Sequence, residues 1–456
     1  NSNLKYEATI RQNLALFIEY MVKGDFKDIL SYKAVTNLFY TMNQYSMTEL
    51  LDIWETGVTN EGTRELFMKG NILAIAMQVA YQTKRYNYGQ ISKIFDTALP
   101  KFDKDASNRE VAKVMELHSL LCALGSIAIE EGDSDKGLDC LETLLKHYEQ
   151  SPRDRQRLEH LVAQLHLAFV GKSKDIEIAR HFFNKIIEKR LPYNVKLKTP
   201  FVILLLENMA STTGVSFGDV QDTWLSSLKF FKLSQGNDRL RYLNINNTFF
   251  KLFFARYPKL TEELVDELRK VISVCQKNSD IDEIFLNTII LNYNWGDKEV
   301  LEQIVSYYSI FRVSRTPVSY RISLKKCGEI EAYTNQEIYD KWVRLLKFLD
   351  AQRIHYIPIA DWAALRDATI LSPYSEERKQ LYVAILEEYG DYIQDFRTCV
   401  RFCKHWQKQT VGFQEVSQVM LQKGPFFCNV HVGHYHFSHL KRNINFALLS
   451  QTILFK

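Results

Sequence analysis

Gln164, Asn247, Asn287 and Arg321 each stand beside an apolar run of helical spacing, in LEHLVAQLHLAF, LNINNTFFKLFFARY, EIFLNTIILNYN and PVSYRISLKKCG. Amide side chains both donate and accept hydrogen bonds, as short hydroxyls do, which suits them to the edges of nucleic-acid bases. Cations fall on or just before the same runs: Arg239, Arg241, Lys251, Arg312, Arg315, Arg321, Lys325 and Lys326, with Arg366 further on. Tyr242, Phe285 and Tyr320 lie among them and could stack on bases. Base-edge hydrogen bonding, phosphate pairing and stacking together describe a surface for a single-stranded nucleic acid. The competing reading is structural: Asn and Thr cap helices, Lys and Arg cover solvated faces, and Tyr320 fits a core.

Other chemistry fits poorly. VGKSKD ends like a phosphate-binding loop, but His166 stands where the first glycine must be and the segment joins two helices. EEGDSDKGLD has the Asp133 and Asp135 of a calcium loop, yet its glycine falls at 137 and no bidentate Glu follows. Cys399, Cys403 and His405 share a helical face without a second ligand pair, and Cys428, His431, His434, His436 and His439 match no tetrahedral spacing. No Ser-His-Asp or Cys-His arrangement and no acidic cluster stands out. The sequence therefore predicts no catalytic residue, no metal, no cofactor and no small-molecule substrate: a binder, not an enzyme.

The elements that must carry this surface are helical. With 46 % hydrophobic and 13 % aromatic residues but only 18 Gly and 9 Pro in 456 residues, the chain is poor in helix breakers. Its formal charge of +4 is too small for a global field to hold a polyanion, so a local patch must do it. The 7 cysteines are odd in number and scattered along apolar stretches, as reduced core cysteines are. No run of about 18 apolar residues exists, so a soluble chain is expected. It opens on Asn1 without a methionine, which reads as a processed or trimmed form in which a targeting segment is not legible.

Residues 158–194 read as one complete two-helix repeat of the pentatricopeptide kind. LVAQLHLAF forms the first helix and Gly171, Lys172, Ser173 and Lys174 the turn; IEIARHFFNKIIEKR puts Ile176, Ala179, Phe182, Phe183 and Ile186 on one face before Pro192. Neither helix can bury its stripe alone, which is the mark of a stacked array. Phe95, Leu141 and Phe183 hold matching places at intervals of 46 and 42 residues, and Asn247, Asn287 and Arg321 at 40 and 34, so the repeats are degenerate. The expected fold is an all-α, right-handed alpha-solenoid of degenerate pentatricopeptide-like helix-turn-helix repeats. Its expected divisions are an N-terminal helical region (1–109), the repeat solenoid (110–409) and a tail (410–456) whose alternating pattern fits no repeat.

NNTFFKLFF, SRTPVSYRISLKK, ADWAALRDATI and HLAFVGKSKDIEIARHFFNKIIEKRLPY resemble segments of the fungal Required for Meiotic nuclear Division protein nine family. The resemblance covers roughly residues 110–390 and leaves the tail after Val411 unmatched. It implies a mitochondrial matrix protein that binds a short AU-rich motif at the 3′ ends of mitochondrial messenger RNAs. Such a protein would protect those ends, support stability, processing and translation, and associate with the mitoribosome and the inner-membrane surface. The alternative is a helical-repeat scaffold that binds proteins. In a pentatricopeptide array a polar residue early in each first helix and one at the close of the repeat read one base. That rule pairs Gln164 with Asn194, leads on to Thr199, and pairs Asn247 with Asp282 and Asn287 with Thr316. Replacing Asn287 and Arg321 with Ala is then expected to weaken specific binding at an unchanged melting temperature.

Overall fold

The structure is a computed structural model that describes residues 2–389 apart from 25–29, 107–110, 151, 153–154, 235–238, 278–280, 294 and 355–356. Twenty α-helices make up its regular elements among the described residues. The chain divides into two compact units, Asn1–Asn237 and Asp238–Lys456.

The first unit opens with α1 (Ser2–Lys23), α2 (Tyr32–Gln44), α3 (Leu50–Thr59) and α4 (Arg64–Phe67). Four helix pairs follow: α5 (Gly70–Gln82) with α6 (Tyr88–Ala106), α7 (Val111–Glu131) with α8 (Ser134–Gln150), α9 (Arg155–Lys172) with α10 (Ile176–Ile187), and α11 (Thr199–Ser211) with α12 (Phe217–Ser234). The second unit holds four more. These are α13 (Arg239–Arg256) with α14 (Glu262–Lys277), α15 (Glu283–Asn292) with α16 (Lys298–Ile310), α17 (Pro317–Gly328) with α18 (Asn335–Ala351), and α19 (Ile359–Ala368) with α20 (Ser375–Tyr389). The fold is an all-α helical-repeat solenoid, as the sequence predicts.

Within each unit the first helix of a pair packs on the first helix of the next: α5 on α7, α7 on α9 and α9 on α11, then α13 on α15, α15 on α17 and α17 on α19. A first helix is thus covered by two like neighbours and by its own partner, and its sequence shows it. Phe285, Leu286, Asn287, Thr288, Ile289 and Ile290 are consecutive and all buried in α15. Second helices are covered on one side only and carry the narrow stripe that this demands, Ile176, Ala179, Phe182, Phe183 and Ile186 in α10 and Leu264, Leu268, Val271, Ile272 and Cys275 in α14. The matched residues Phe95, Leu141 and Phe183 are all buried.

Side-chain caps fix the helix starts. Asp175 accepts from the Glu177 and Ile178 amides, Asp297 from those of Glu299 and Val300, and Thr334 and Glu337 form a reciprocal capping box; each such cap contributes about 1 kcal/mol. Several ends are less usual. Lys84, Lys189, Arg312 and Arg353 follow α5, α10, α16 and α18 with φ of 57°, 56°, 55° and 58°, where the left-handed backbone favours glycine over other residues by about 1 kcal/mol. The Lys189 amide donates to Ile186 O and the Arg190 amide to Lys185 O; the Arg312 and Val313 amides repeat the pattern on Ser309 O and Tyr308 O, as do Arg353 and Ile354 on Asp350 O and Leu349 O.

Two buried histidines tie pairs together. His166 of α9 holds the Tyr193 hydroxyl at 2.9 Å on Nδ1 and Phe182 O at 2.9 Å on Nε2, so the Nε2 proton donates to the carbonyl and the Tyr193 hydroxyl donates to Nδ1. His118 Nε2 of α7 lies 2.5 Å from His147 Nδ1 of α8. Burial pushes His118 and His166 down from 6.5 to about 4. A base held below its unfolded pKa adds stability that is present above pH 6.5 and is lost as pH falls toward 4, because the unfolded chain takes up the proton first. Each pKa unit corresponds to ~1.4 kcal/mol. Urea denaturation at about pH 7.5, 5.5 and 4.5 is therefore expected to show a steep acid loss, shallower in His166→Gln; parallel curves for the two proteins would refute the assignment.

Candidate nucleic-acid interface

In the second unit the candidate residues lie on α13, α15, α17, α19 and the links before them. Asn247 of α13 is half-buried, and its Oδ1 accepts from Asn292 Nδ2 of α15 at 3.0 Å. Asn292 shares its amide with Thr288 O at 2.9 Å. One turn beyond Asn247, Lys251 is exposed. Arg239 and Arg241, with Tyr242, lie outside the residues whose side chains are described.

Several candidates are engaged by the scaffold. Asn287 is 7 % exposed, and its Oδ1 accepts from the Tyr308 hydroxyl of α16 at 2.6 Å. Asp282 caps α15 by accepting from the Phe285 amide at 2.8 Å. Phe285 itself is buried against Phe250, edge to face, so it is core. Thr316 caps α17 in a capping box with Ser319, and its hydroxyl donates to Glu283 Oε1 at 2.5 Å, tying the start of α17 to that of α15. Arg321 pairs through Nε with Asp361 of α19, a carboxylate with no exposed surface. Lys326 pairs with Glu329 at 2.6 Å.

Arg315 and Tyr320 form a cluster. The Arg315 guanidinium lies 4.0 Å from the Tyr320 ring centre and 5.0 Å from that of Tyr308, and Nη2 donates to Ser323 Oγ at 3.0 Å. Tyr320 also packs beside Phe348 of α18. Burial holds the Arg315 pKa below the usual arginine value. This is a cation–π clamp joining α16 to α17, with Arg315 occupying one face of the Tyr320 ring. At the far end of α17, Lys325 reaches Asp367 at 3.2 Å and Arg366 reaches the same carboxylate at 2.6 Å.

The first unit presents its candidates more openly. Gln164 is exposed on α9. Asn194 is exposed, and its backbone amide donates to Glu159 Oε1 of α9 at 2.8 Å. Thr199 is the first residue of α11 and half-buried. Between Asn194 and Thr199 the chain alternates: Val195 and Leu197 are buried, and Lys196 and Lys198 are exposed. Sequence reasoning misses both lysines, although their period of two beside Val195 and Leu197 is the signal that could find them.

Among the described residues no group of three or more His, Cys, Asp or Glu is placed to hold a metal, and no helix is long and apolar enough to cross a membrane. The Cys and His candidates from 399 onward lie outside the described residues.

Residues 88–314 match the RMD9 middle domain and residues 351–446 the RMD9 C-terminal domain. The whole chain aligns at 42 % identity with the RNA-binding protein RMD9, mitochondrial, of Debaryomyces hansenii, spanning 72 % of that protein. The chain belongs to the RMD9 family. The relative from Meyerozyma guilliermondii, of the same name, is 39 % identical over all of this chain and 71 % of its own length. The matched RMD9 relatives are named as RNA-binding proteins, not as enzymes. A structure of yeast Rmd9p in complex with a 16nt target RNA superimposes with a TM-score of 0.67 over 94 % of this chain and 80 % of that one, at 24 % identity, which shows the shared fold. The RMD9 C-terminal match runs to residue 446, so the family resemblance extends well past Val411, where the sequence alone leaves the tail unmatched.

Proposed function

We propose that this chain binds single-stranded RNA in mitochondria, along the first helices of each unit and the links before them. Family membership carries the reading: the relatives are named RNA-binding and mitochondrial, and the solved chain of the same fold is described with a target RNA. Gln164, Asn194 and Lys251 support it as exposed polar and cationic groups on first helices or the links before them. Asn247 and Thr199 are half-buried members of the same set. The RNA is mitochondrial messenger RNA with an AU-rich 3′-end motif. Occupancy alone would shield that end from exonuclease and hold it for processing or translation, in the matrix or at the inner-membrane surface beside the mitoribosome.

Gel shifts with AU-rich strands and with poly-C at about 50 and 200 mM salt test this. Selective binding that weakens by roughly a thousandfold or more across that range is expected for about six to ten phosphate contacts. Gln164→Ala with Lys251→Ala should weaken it at an unchanged melting temperature. No shift with any RNA would replace the reading with that of a protein-binding scaffold.

A further inference from the structure

The second helices α10, α16 and α18 end in the same way, on a left-handed residue that is not glycine but a cation: Lys189, Arg312 and Arg353. All three are exposed and enter no ion pair among the described residues. A positive charge at a helix C-terminus is favoured by the helix dipole; Lys185 already meets that need in the last turn of α10, whereas α16 and α18 have no basic residue in theirs. The dipole thus favours a cation near the ends of α16 and α18 without requiring it at the one position where the backbone asks for glycine, and in α10 that need is already met.

Position gives a reason. Lys298 and Glu302 of α16 pair with Glu337 and Lys341 of α18 in the same chain order. The two helices run side by side in parallel, and Arg312 and Arg353 leave them at the same edge. Neighbouring helices pack about 8–10 Å apart, so this edge carries cations at a regular step. Because each second helix returns against its first helix, the same edge holds the start of the next first helix. Arg312 is followed at once by Arg315 and by Thr316, the cap of α17. In the first unit Lys189 stands likewise between α10 and Asn194.

We infer that Lys189, Arg312 and Arg353 are phosphate-contacting residues, one per helix pair, set where an RNA strand's sugar–phosphate backbone passes the ends of the second helices. The inference rests on the RNA reading above and deepens it. Within each unit, a strand that advances one nucleotide per helix pair brings a phosphate past each such end. Contacts of this kind carry no base information and set affinity and register alone. Lys84 is the built-in contrast: it has the same backbone at the end of α5, a first helix, and so lies at the opposite edge of its pair.

Glycine at these positions suits the backbone, so the test separates binding from folding. The full chain carrying Lys189→Gly, Arg312→Gly and Arg353→Gly together is titrated with a labelled, randomised single-stranded RNA at several salt concentrations, beside the parent chain and Lys84→Gly. The triple variant is expected to melt no lower than the parent and to bind at least about tenfold more weakly. Its slope of log affinity against log salt is expected to be smaller by about 2, at ~0.7 for each phosphate that the variant no longer neutralises. Lys84→Gly is expected to match the parent. A triple variant with the parent's slope overturns the inference, whatever its affinity or melting temperature. Equal weakening in Lys84→Gly overturns it too. A parent chain that binds no RNA at any salt sinks the RNA reading itself, an outcome distinct from the other two.

Discussion

Arg321→Ala is expected to lower the unfolding free energy by about 3 kcal/mol, the low end of the range for stripping one partner from a buried ion pair. The Asp361 carboxylate has no exposed surface, its Oδ2 finds no hydrogen-bond partner, and Arg321 Nε is its one neutralising contact among the described residues. Burial raises the Asp361 pKa and the Arg321 guanidinium opposes the rise; removing Arg321 leaves the burial effect alone. The sign of the pH dependence follows. An acid whose folded pKa lies above its unfolded value destabilises the fold when ionised, so the variant's deficit is full at about pH 7.5 and shrinks as acid protonates Asp361. Urea denaturation of both proteins at about pH 7.5 and 5 reads the effect, and adding Asp361→Leu should restore most of the stability because an apolar replacement leaves no buried charge. A melting temperature within about 1 °C of the parent's would put Arg321 back on a free surface, as the sequence alone suggests.

That contrast shows where sequence reading stops. The pair of α9 and α10 is legible because α10 is covered on one side only: Ile176, Ala179, Phe182, Phe183 and Ile186 return every three or four residues and define an inside. Its end is less so. The pattern predicts a helix that Pro192 stops, whereas α10 closes at Ile187 on the left-handed Lys189. First helices defeat the same logic. With Phe285 to Ile290 all buried and the apolar Leu291 exposed, α15 has no polar side to mark the solvent, so Asn287 reads as a polar residue on offer when it is a polar residue in the core.

The partners that decide each candidate are distant in sequence. Asp361 is 40 residues from Arg321, Glu283 is 33 from Thr316 and Tyr308 is 21 from Asn287. In a stacked array each of these separations is about one repeat or less, so a residue's fate depends on its neighbours in the same and the adjoining pair. Gln164 and Asn194 keep an open setting for a local reason: α9 buries Leu158, Val162 and Leu165, which places Gln164 on the outer side of that turn.

Gly328→Ala is expected to be the most damaging single-methyl change in the second unit, costing about 3 kcal/mol. A Cβ built at Gly328 would lie 2.4 Å from Ala368 Cα and 2.5 Å from Ala368 O, so backbone must move where α17 meets α19, the upper range for overpacking. Ala in place of Gly inside a helix would return only ~1 kcal/mol. The shift would also disturb what Gly328 O holds. That carbonyl accepts from Ser372 Oγ at 2.6 Å and from the buried Arg378 guanidinium, which also donates to Ile330 O at 2.7 Å and so gathers the C-terminal carbonyls of α17. Thermal denaturation should show a fall of several degrees, unrelieved by adding Ala368→Gly, since the collision is with the Ala368 backbone rather than its methyl. Gly89→Ala is the matched control. That residue is exposed near the start of α6, and its added Cβ meets nothing closer than Asn87 Oδ1 at 3.5 Å, so its melting temperature should hold or rise. A Gly328→Ala protein as stable as Gly89→Ala would mean that α17 and α19 do not approach at this point.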